Sequence, residues 1–499
     1  MLWSARWIEA LRARPRLAVL MAGAALGLLW LVVPALLFAT PPLDLTEYLL
    51  AARAGRIGAD AGGPIAAGLS WLALDYVGPW AVYGLFALAI TVSAGLVYRL
   101  GARLVGRAMG GAAALVFVAV EGIGMPLDPF APDRLALPAV LWVCLEAWRL
   151  IGEGKSRAWP ALAAAAGLAL FTGWSGWAAV ISVALLIGLT AAGRAALRTR
   201  DMVQPLAMGL TFLVPFVLWT VRFPPPLPTL GAMEGVTAAV PAATLLAGLA
   251  LASVPGALLV LISSAIGDRG KVDDVPVLVR GPLPGFAAVF IIVLALVPLA
   301  ITLVLAMLGQ RQSVWGTPAP ALLALVLVAW RGQSAGIHRR EALTTVWLCC
   351  VGAPIAVTAL VTLGAPVLGR EGQDVNFPAR AIARPLTEVA TRRLGGPPSV
   401  IGGAPELAAP IALASPAGPL LMPDADPSQA SEQVRQRAAQ AGMVVVWKVS
   451  SQNRGAPYAL RQLWPNLVPE VPIVVPWAIA GRLEPVRVGW AVVPPRGAR

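Results

Sequence analysis

The chain has 499 residues, 58% of them apolar and only 13% charged, with a mean hydropathy of +0.77. Soluble domains carry about 25% charged residues, so a water-facing surface of this size could not be covered, which excludes a soluble enzyme, a disordered chain and a disulfide scaffold. A polytopic membrane protein fits, and the formal charge of +13 suits basic loops facing anionic lipid better than nucleic acid.

From the N-terminus, Arg6, Arg12, Arg14 and Arg16 precede an apolar run from about Leu17 to Ala39. The run is too long for a signal-peptide core and reads as an uncleaved first membrane helix. Further spans are expected near 79–98, 108–125, 135–150, 159–173, 175–193, 203–221, 239–266, 283–308, 317–330 and 342–367. The 159–193 stretch reads as two short helices broken at Thr172-Gly173-Trp174-Ser175-Gly176, or as one span plus a re-entrant piece. With eleven spans and a cytoplasmic N-terminus, nineteen Lys and Arg fall in the N-terminal tail and inside loops, against five in the outside loops before residue 368: Arg53, Arg56, Arg134, Arg222 and Arg311. This asymmetry is the positive-inside pattern, and it puts the C-terminus outside.

The expected domains are a transmembrane domain over 1–367 and a small extracytoplasmic α/β domain over 368–499. In the latter, Phe377–Arg393 reads as an amphipathic helix, Ser399–Ile401 as a short strand and Ser428–Gln440 as a helix, with Ser428 as N-cap and Gly442 as stop. Met443–Val449, Val471–Val475 and Val486–Val493 read as strands.

Acids cluster on the outer side. The loop over about 40–78 opens with Pro41-Pro42-Leu43-Asp44-Leu45-Thr46-Glu47-Tyr48, so Asp44 and Glu47 share a helix face. The next outer loop holds Glu121, Asp128, Asp133 and Arg134. Carboxylates at the hydrocarbon boundary are costly unless paired or wetted, which makes them functional candidates. Asp44 or Glu47 could take a proton from an acceptor hydroxyl or amine; helix capping and a polar rim are the plainer alternatives. Asp133 alternatively caps the fourth helix. Arg134, Arg222 and Arg311 could each grip a lipid phosphate with a guanidinium fork, or simply snorkel to the interface. Trp174, Trp177, Trp219 and Trp315 read as interface-belt residues, with stacking on a sugar face as the lesser alternative, and His338 as polarity in an inside loop. Pro224-Pro225-Pro226 reads as a stiff connector or as a gate. Cys144, Cys349 and Cys350 lie in apolar runs without C-x-x-C, so no disulfide or zinc site is expected.

Certain segments carry a family resemblance: Leu43-Asp44-Leu45-Thr46-Glu47, Ala81-Val82-Tyr83-Gly84-Leu85-Phe86-Ala87-Leu88, Phe130-Ala131-Pro132-Asp133-Arg134-Leu135-Ala136-Leu137-Pro138, Ala165–Thr172 and Asn376-Phe377-Pro378-Ala379-Arg380. Together the chain resembles integral-membrane glycosyltransferases of the GT-C fold. More narrowly, it resembles the family-39 group of protein O-mannosyltransferases and the aminoarabinose transferase acting on lipid A, as a divergent member of alphaproteobacterial type. The resemblance implies a polyprenyl-phosphate-linked sugar donor and a lipid, glycan or protein acceptor at the periplasmic face of the bacterial inner membrane. It also implies inverting transfer with Asp44 as base or acceptor-orienting group, and donor phosphate against basic side chains. Where many members carry a Lys-His-Pro-Pro-type motif, this chain has Gly58-Ala59-Asp60-Ala61-Gly62-Gly63-Pro64-Ile65, with neither Lys nor His, so no cofactor or metal is expected. A catalytically inert relative that binds lipid or serves assembly, and a lipid or solute transporter, are the alternatives. A transporter should place ionisable groups deep within helices; here Glu146 comes nearest.

Overall fold

The computed structural model describes residues 9–55, 63–127, 130–199, 203–222, 236–263, 277–279, 282–310, 312–330, 334–336, 339–369, 372–449 and 455–495. The chain divides into two compact units, one of Met1–Val32 with Ile57–Ala356, the other of Val33–Arg56 with Val357–Arg499.

In chain order the helices are α1 (Pro15–Leu37), α2 (Leu43–Arg53), α3 (Gly63–Tyr76), α4 (Pro79–Leu104), α5 (Arg107–Gly124), α6 (Leu137–Ala147), α7 (Trp159–Leu170), α8 (Trp174–Leu189), α9 (Ala191–Leu197), α10 (Val203–Arg222), α11 (Val236–Ile262), α12 (Gly285–Met307), α13 (Ala319–Trp330) and α14 (Arg340–Val367). Among the described residues six helices are long and apolar enough to cross a membrane: α1, α4, α5, α12, α14 and the Ala239–Ile262 part of α11. The pair α8–α9, bent by 93° at Thr190, makes a seventh if it counts as one span. Each of the eleven expected stretches holds a helix. α7 and α13 have only 12 residues apiece, and α6 continues for five residues as a π-helical turn over Trp148–Gly152. Phe171, Thr172 and Gly173 separate α7 from α8, with Gly173 at φ 79°, so the two-helix reading of 159–193 holds. α3 is an addition, in a stretch read as loop. Leu28, Leu36, Leu88, Leu218, Ile292, Leu296 and Val304 stand exposed on these helices. In a chain with so few charges, such a surface faces hydrocarbon rather than water.

The helical unit packs through small residues, as membrane bundles do. A Cβ on Gly101 of α4 would stand 2.9 Å from Gly110 Cα on α5. α5 also takes a bond from α14, where Trp347 Nε1 donates to the Leu115 carbonyl at 2.9 Å. At one edge Glu153 receives Arg103 and Lys155, each at 2.7 Å. Partial burial raises the Glu153 carboxyl, but hydrogen bonds from Lys155 and Arg103 and their charges outweigh it and hold the group below its ordinary value.

The second unit is an α/β layer built on a five-stranded sheet of order β4-β3-β5-β7-β6, with β3 (Val400–Gly403), β4 (Leu420–Pro423), β5 (Met443–Lys448), β6 (Ile473–Val475) and β7 (Val486–Val493). A separate two-stranded ribbon, β1 (Val277–Val279) with β2 (Ser334–Gly336), belongs to the helical unit. β3 pairs parallel with β4 and β5, while β7 pairs antiparallel with β5 and β6. The run Met-Val-Val-Val-Trp of β5 is apolar at every position because both faces are covered. Val444 and Val446 face α15 (Ala379–Leu394) and α16 (Pro405–Ala414), alongside Ile382, Leu386 and Ile411. Met443, Val445 and Trp447 face α17 (Glu432–Ala441) and α18 (Tyr458–Leu463), alongside Val434, Ala438 and Leu460. Helices on both faces make the sheet doubly wound. The sequence misplaced one cap. α17 begins after Ser431, whose hydroxyl accepts from Val434 N, and ends at Gly442, φ 75°. Ser428 instead closes a turn on Asp426, donating from N and Oγ at 2.8 Å.

α2 belongs to this unit. Leu50 lies in the core with Phe377, Ile382 and Leu407, Leu43 packs against it, and Ala54 joins the opposite core beside Val400 and Leu420. Short apolar helices cannot hold themselves in water; α2 is held by the sheet.

Candidate functional site

The candidates fall into two groups, one in each unit. In the α/β unit, Ala39 N and Thr40 N both donate to the Val375 carbonyl, at 2.9 and 3.2 Å. The Thr40 hydroxyl donates to the Phe377 carbonyl at 2.8 Å. These bonds tie the chain leaving α1 to the chain leaving α14. Pro42 then starts α2, and the Thr46 hydroxyl turns back to the Pro41 carbonyl at 3.1 Å. Asp44 therefore occupies the first turn of α2, where a carboxylate is favoured by the helix dipole, and it is exposed. Glu47, one turn on, is half-buried.

Two further acids join Asp44. Asp374 sits in the 3-10 turn Asp374–Asn376, and Glu406 in the first turn of α16, at the carboxyl end of β3. Partial burial, then the negative charges of Glu406 and Asp44, hold the Asp374 carboxyl above its ordinary value. The side chain still reaches solvent, so water screens part of this interaction. The sequence reading missed both residues. Glu406 was legible, because Pro405 at the first helical position and an acid in the first turn mark a helix start. Asp374 has no local signature; only the backbone pairing with 39–40 brings it to α2.

In the helical unit, Phe130 sits in left-handed backbone at φ 59°, a strained conformation for a bulky residue. It is 1% exposed and boxed by Tyr83 at 4.7 Å, Phe86 at 5.3 Å and Trp30 at 6.3 Å. The aromatic box fixes how the chain enters the 3-10 turn Pro132–Leu135. Within that turn Asp133 Oδ2 accepts from Ser313 N at 3.2 Å. This bond ties two loops together and does not cap α6, whose N-cap is Ala136. Arg134 is 2% exposed. Its Nη1 bonds Glu121 Oε2, its Nη2 donates to the Gly124 carbonyl at 3.0 Å, and its guanidinium lies 4.7 Å over the Trp315 ring. Glu121 Oε1 has no hydrogen-bond partner among the described residues. Trp315, read as a belt residue, is 3% exposed and forms the floor under Arg134. Gly124 faces its ring so closely that any Cβ would collide.

Arg134 can thus meet a phosphate only if its pairing with Glu121 opens. Arg222 ends α10, and its side chain lies outside the described residues, as do Asp128 and Arg311 altogether. His338, the Pro224–Pro226 run and most of the Gly58–Ile65 stretch also lie outside them. Trp174, Trp177 and Trp219 form an aromatic row with Phe216, at centroid distances of 5.4, 5.2 and 6.1 Å. Glu146 is 4% exposed and pairs with Arg149 at 2.6 Å. Among the described residues no group of three or more His, Cys, Asp or Glu could hold a metal ion.

No protein-family model matches the chain, and no curated protein sequence matches it. Among solved structures it is similar to the crystal structure of ArnT from Cupriavidus metallidurans bound to undecaprenyl phosphate. The TM-score is 0.54 at 14% identity, over 95% of this chain and 97% of that one. At that identity the likeness establishes the fold alone.

Proposed function

We propose that the protein is a GT-C glycosyltransferase that moves a sugar from a polyprenyl-phosphate donor to an acceptor at the periplasmic face of the bacterial inner membrane. The supporting observation is the likeness along nearly the whole chain to a structure holding undecaprenyl phosphate, with Asp44 exposed on the first turn after the first membrane helix. In this reading eleven helices cross the membrane, the N-terminus is cytoplasmic and the α/β domain is periplasmic. The Asp44 carboxylate takes the proton of the acceptor hydroxyl or amine. The acceptor atom bonds the anomeric carbon as the bond to the phosphate oxygen breaks, and its electron pair leaves with the polyprenyl phosphate. One displacement inverts the carbon and needs no enzyme nucleophile. Glu47 orients the acceptor. Asp128 and Asp133 line the acceptor side, and Arg222 and Arg311 meet the donor phosphate. Glu121 sets the position of Arg134, which joins the phosphate when the pair opens.

A second reading, an inert relative that binds lipid without transfer, draws support from the internal engagement of Arg134. Reconstitution separates the two. Full-length protein in nanodiscs is given a panel of polyprenyl-phosphate pentoses and hexoses, and release of polyprenyl phosphate is followed. Transfer should occur with at least one donor, and Asp44→Asn should lower turnover by about 100-fold or more while donor binding changes less than about threefold. Wild-type turnover in Asp44→Asn removes that residue from the chemistry. Donor binding without turnover in the wild type establishes the inert reading.

A further inference from the structure

We infer that the hairpin loop between β6 and β7, residues 476–485, is a lipid-surface anchor seated in the headgroup layer where α14 ends. The loop reads Pro476-Trp477-Ala478-Ile479-Ala480-Gly481-Arg482-Leu483-Glu484-Pro485, an apolar tip followed by a cation. Trp477 Nε1 donates to the Glu484 carbonyl at 2.9 Å and closes the loop on itself. Trp477 also meets the Phe377 ring edge-on at 6.4 Å, and Gly372 leaves room for its indole.

The depth of the loop is set by α14. Arg482 N donates to the Pro366 carbonyl at 2.8 Å, and Gly481 packs directly on Pro366. Ala478 N donates to the Asn376 carbonyl at 3.2 Å, and Asn376 Nδ2 to the Thr362 carbonyl at 2.8 Å. The loop is therefore pinned to the last turn and a half of a membrane helix. Counting from Glu341, the first residue of the spanning stretch, about 20 residues cross the hydrocarbon layer. That places the far hydrocarbon edge near Leu360, and Pro366 in the interfacial shell beyond it. The side chains around the attachment agree: Leu360, Leu363, Val367 and Leu368 are exposed, Leu368 by 67%. Ala478, Ala480 and Arg482 are exposed beside them.

The occupant follows from this chemistry. Trp and Arg are the side chains that favour the boundary between hydrocarbon and phosphate, and a tip of exposed Ala478 and Ala480 with half-buried Ile479, held at that depth, meets acyl carbonyls and glycerol. Arg482 then lies at phosphate level, where an anionic headgroup complements it. The loop thus works as a foot by which the α/β domain rests on the leaflet, and the inference needs no catalytic activity.

The test uses full-length protein with Cys144, Cys349 and Cys350 replaced by Ala and one reporter cysteine, Ala480→Cys, carrying an environment-sensitive fluorophore. The protein is placed in nanodiscs of phosphatidylcholine with about one quarter phosphatidylglycerol. A matching label at Gln436→Cys on α17 serves as the aqueous control, and Ala478→Cys replaces Ala480→Cys if the latter does not fold. The loop label should be quenched by nitroxides on lipid headgroups and upper acyl carbons, and be at least about threefold less accessible to aqueous iodide than the control. Ile479→Asp should reverse both effects. Iodide quenching equal to the control overturns the inference. Shielding from iodide without quenching by lipid nitroxides also overturns it, since the loop is then covered by protein.

Discussion

Arg134 and Glu121 offer the sharpest quantitative test of the helical unit. Replacing Arg134 by Met removes a cation that engages the Glu121 carboxylate, the Gly124 carbonyl at 3.0 Å and the Trp315 face at 4.7 Å. It leaves Glu121, 1% exposed, without its counter-charge. Breaking one side of a buried pair costs about 3–5 kcal/mol. At roughly 1–2 °C per kcal/mol for a unit of more than 300 residues, the thermal midpoint should fall by about 3–10 °C. Glu121→Gln keeps the Gly124 bond and the contact with Trp315, so its cost should be smaller, near 2–3 kcal/mol. The double variant Glu121→Leu with Arg134→Met removes both charges and leaves shapes that fill the space, and it should fall within about 2 kcal/mol of wild type. Midpoints are read in detergent by intrinsic fluorescence, with the three variants and Glu121→Leu closing a double-mutant cycle. A coupling of at least about 3 kcal/mol is expected. Additivity within about 0.5 kcal/mol would refute the view that the two groups sustain one another.

Three other outcomes follow from particular contacts. Ser431→Ala should destabilise the α/β unit by about 1 kcal/mol through loss of the α17 cap, with Ser428→Ala milder; the reverse order in denaturant titrations would restore Ser428 as the cap. The Asp374 carboxyl is held above its ordinary value, so the folded form binds its proton more tightly than the unfolded chain, and this contribution is complete below the ordinary aspartate range and lost as pH rises through the elevated value. Asp374→Asn should therefore raise the thermal midpoint relative to wild type at neutral pH and converge with it near about pH 4; a gap that widens on acidification refutes this sign. Leu50→Ala, emptying a site 1% exposed in the α/β core, should cost about 2–5 kcal/mol by chemical denaturation of purified protein.

Much of the architecture was legible because its signals are local. Apolar runs set the helices, and valine-rich stretches bounded by turn residues set β5 and β7. Gly442 marked the end of α17, where it takes a positive φ that other residues resist. What escaped depended on distant partners. α16 and β4 lie among alanines and prolines that carry no clear period, and they exist because the sheet buries them. Trp315 looked like a belt residue from its position after a membrane helix, yet a guanidinium some 180 residues away in sequence sits on its ring. Ser428 and Ser431 both precede α17, and only the bond to Val434 N decides between them. Asp374 is the clearest case: no motif surrounds it, and the pairing of Val375 with Ala39 and Thr40 gives it its neighbours.

That pairing also changes how Asp44 should be understood. An acid just after a membrane helix is expected to follow that helix, as a cap or a rim residue. Here the helix carrying it is part of the α/β core, through Leu43, Leu50 and Ala54, and the acids beside it come from the chain after α14 and from the start of α16. The placement of Asp44 is thus decided by folding of the C-terminal residues, more than 300 positions later in the chain. Packing an eleven-residue helix against a sheet from the far end of the chain holds the backbone at Asp44, and the proton transfer proposed above for its carboxylate would require positional control of this kind.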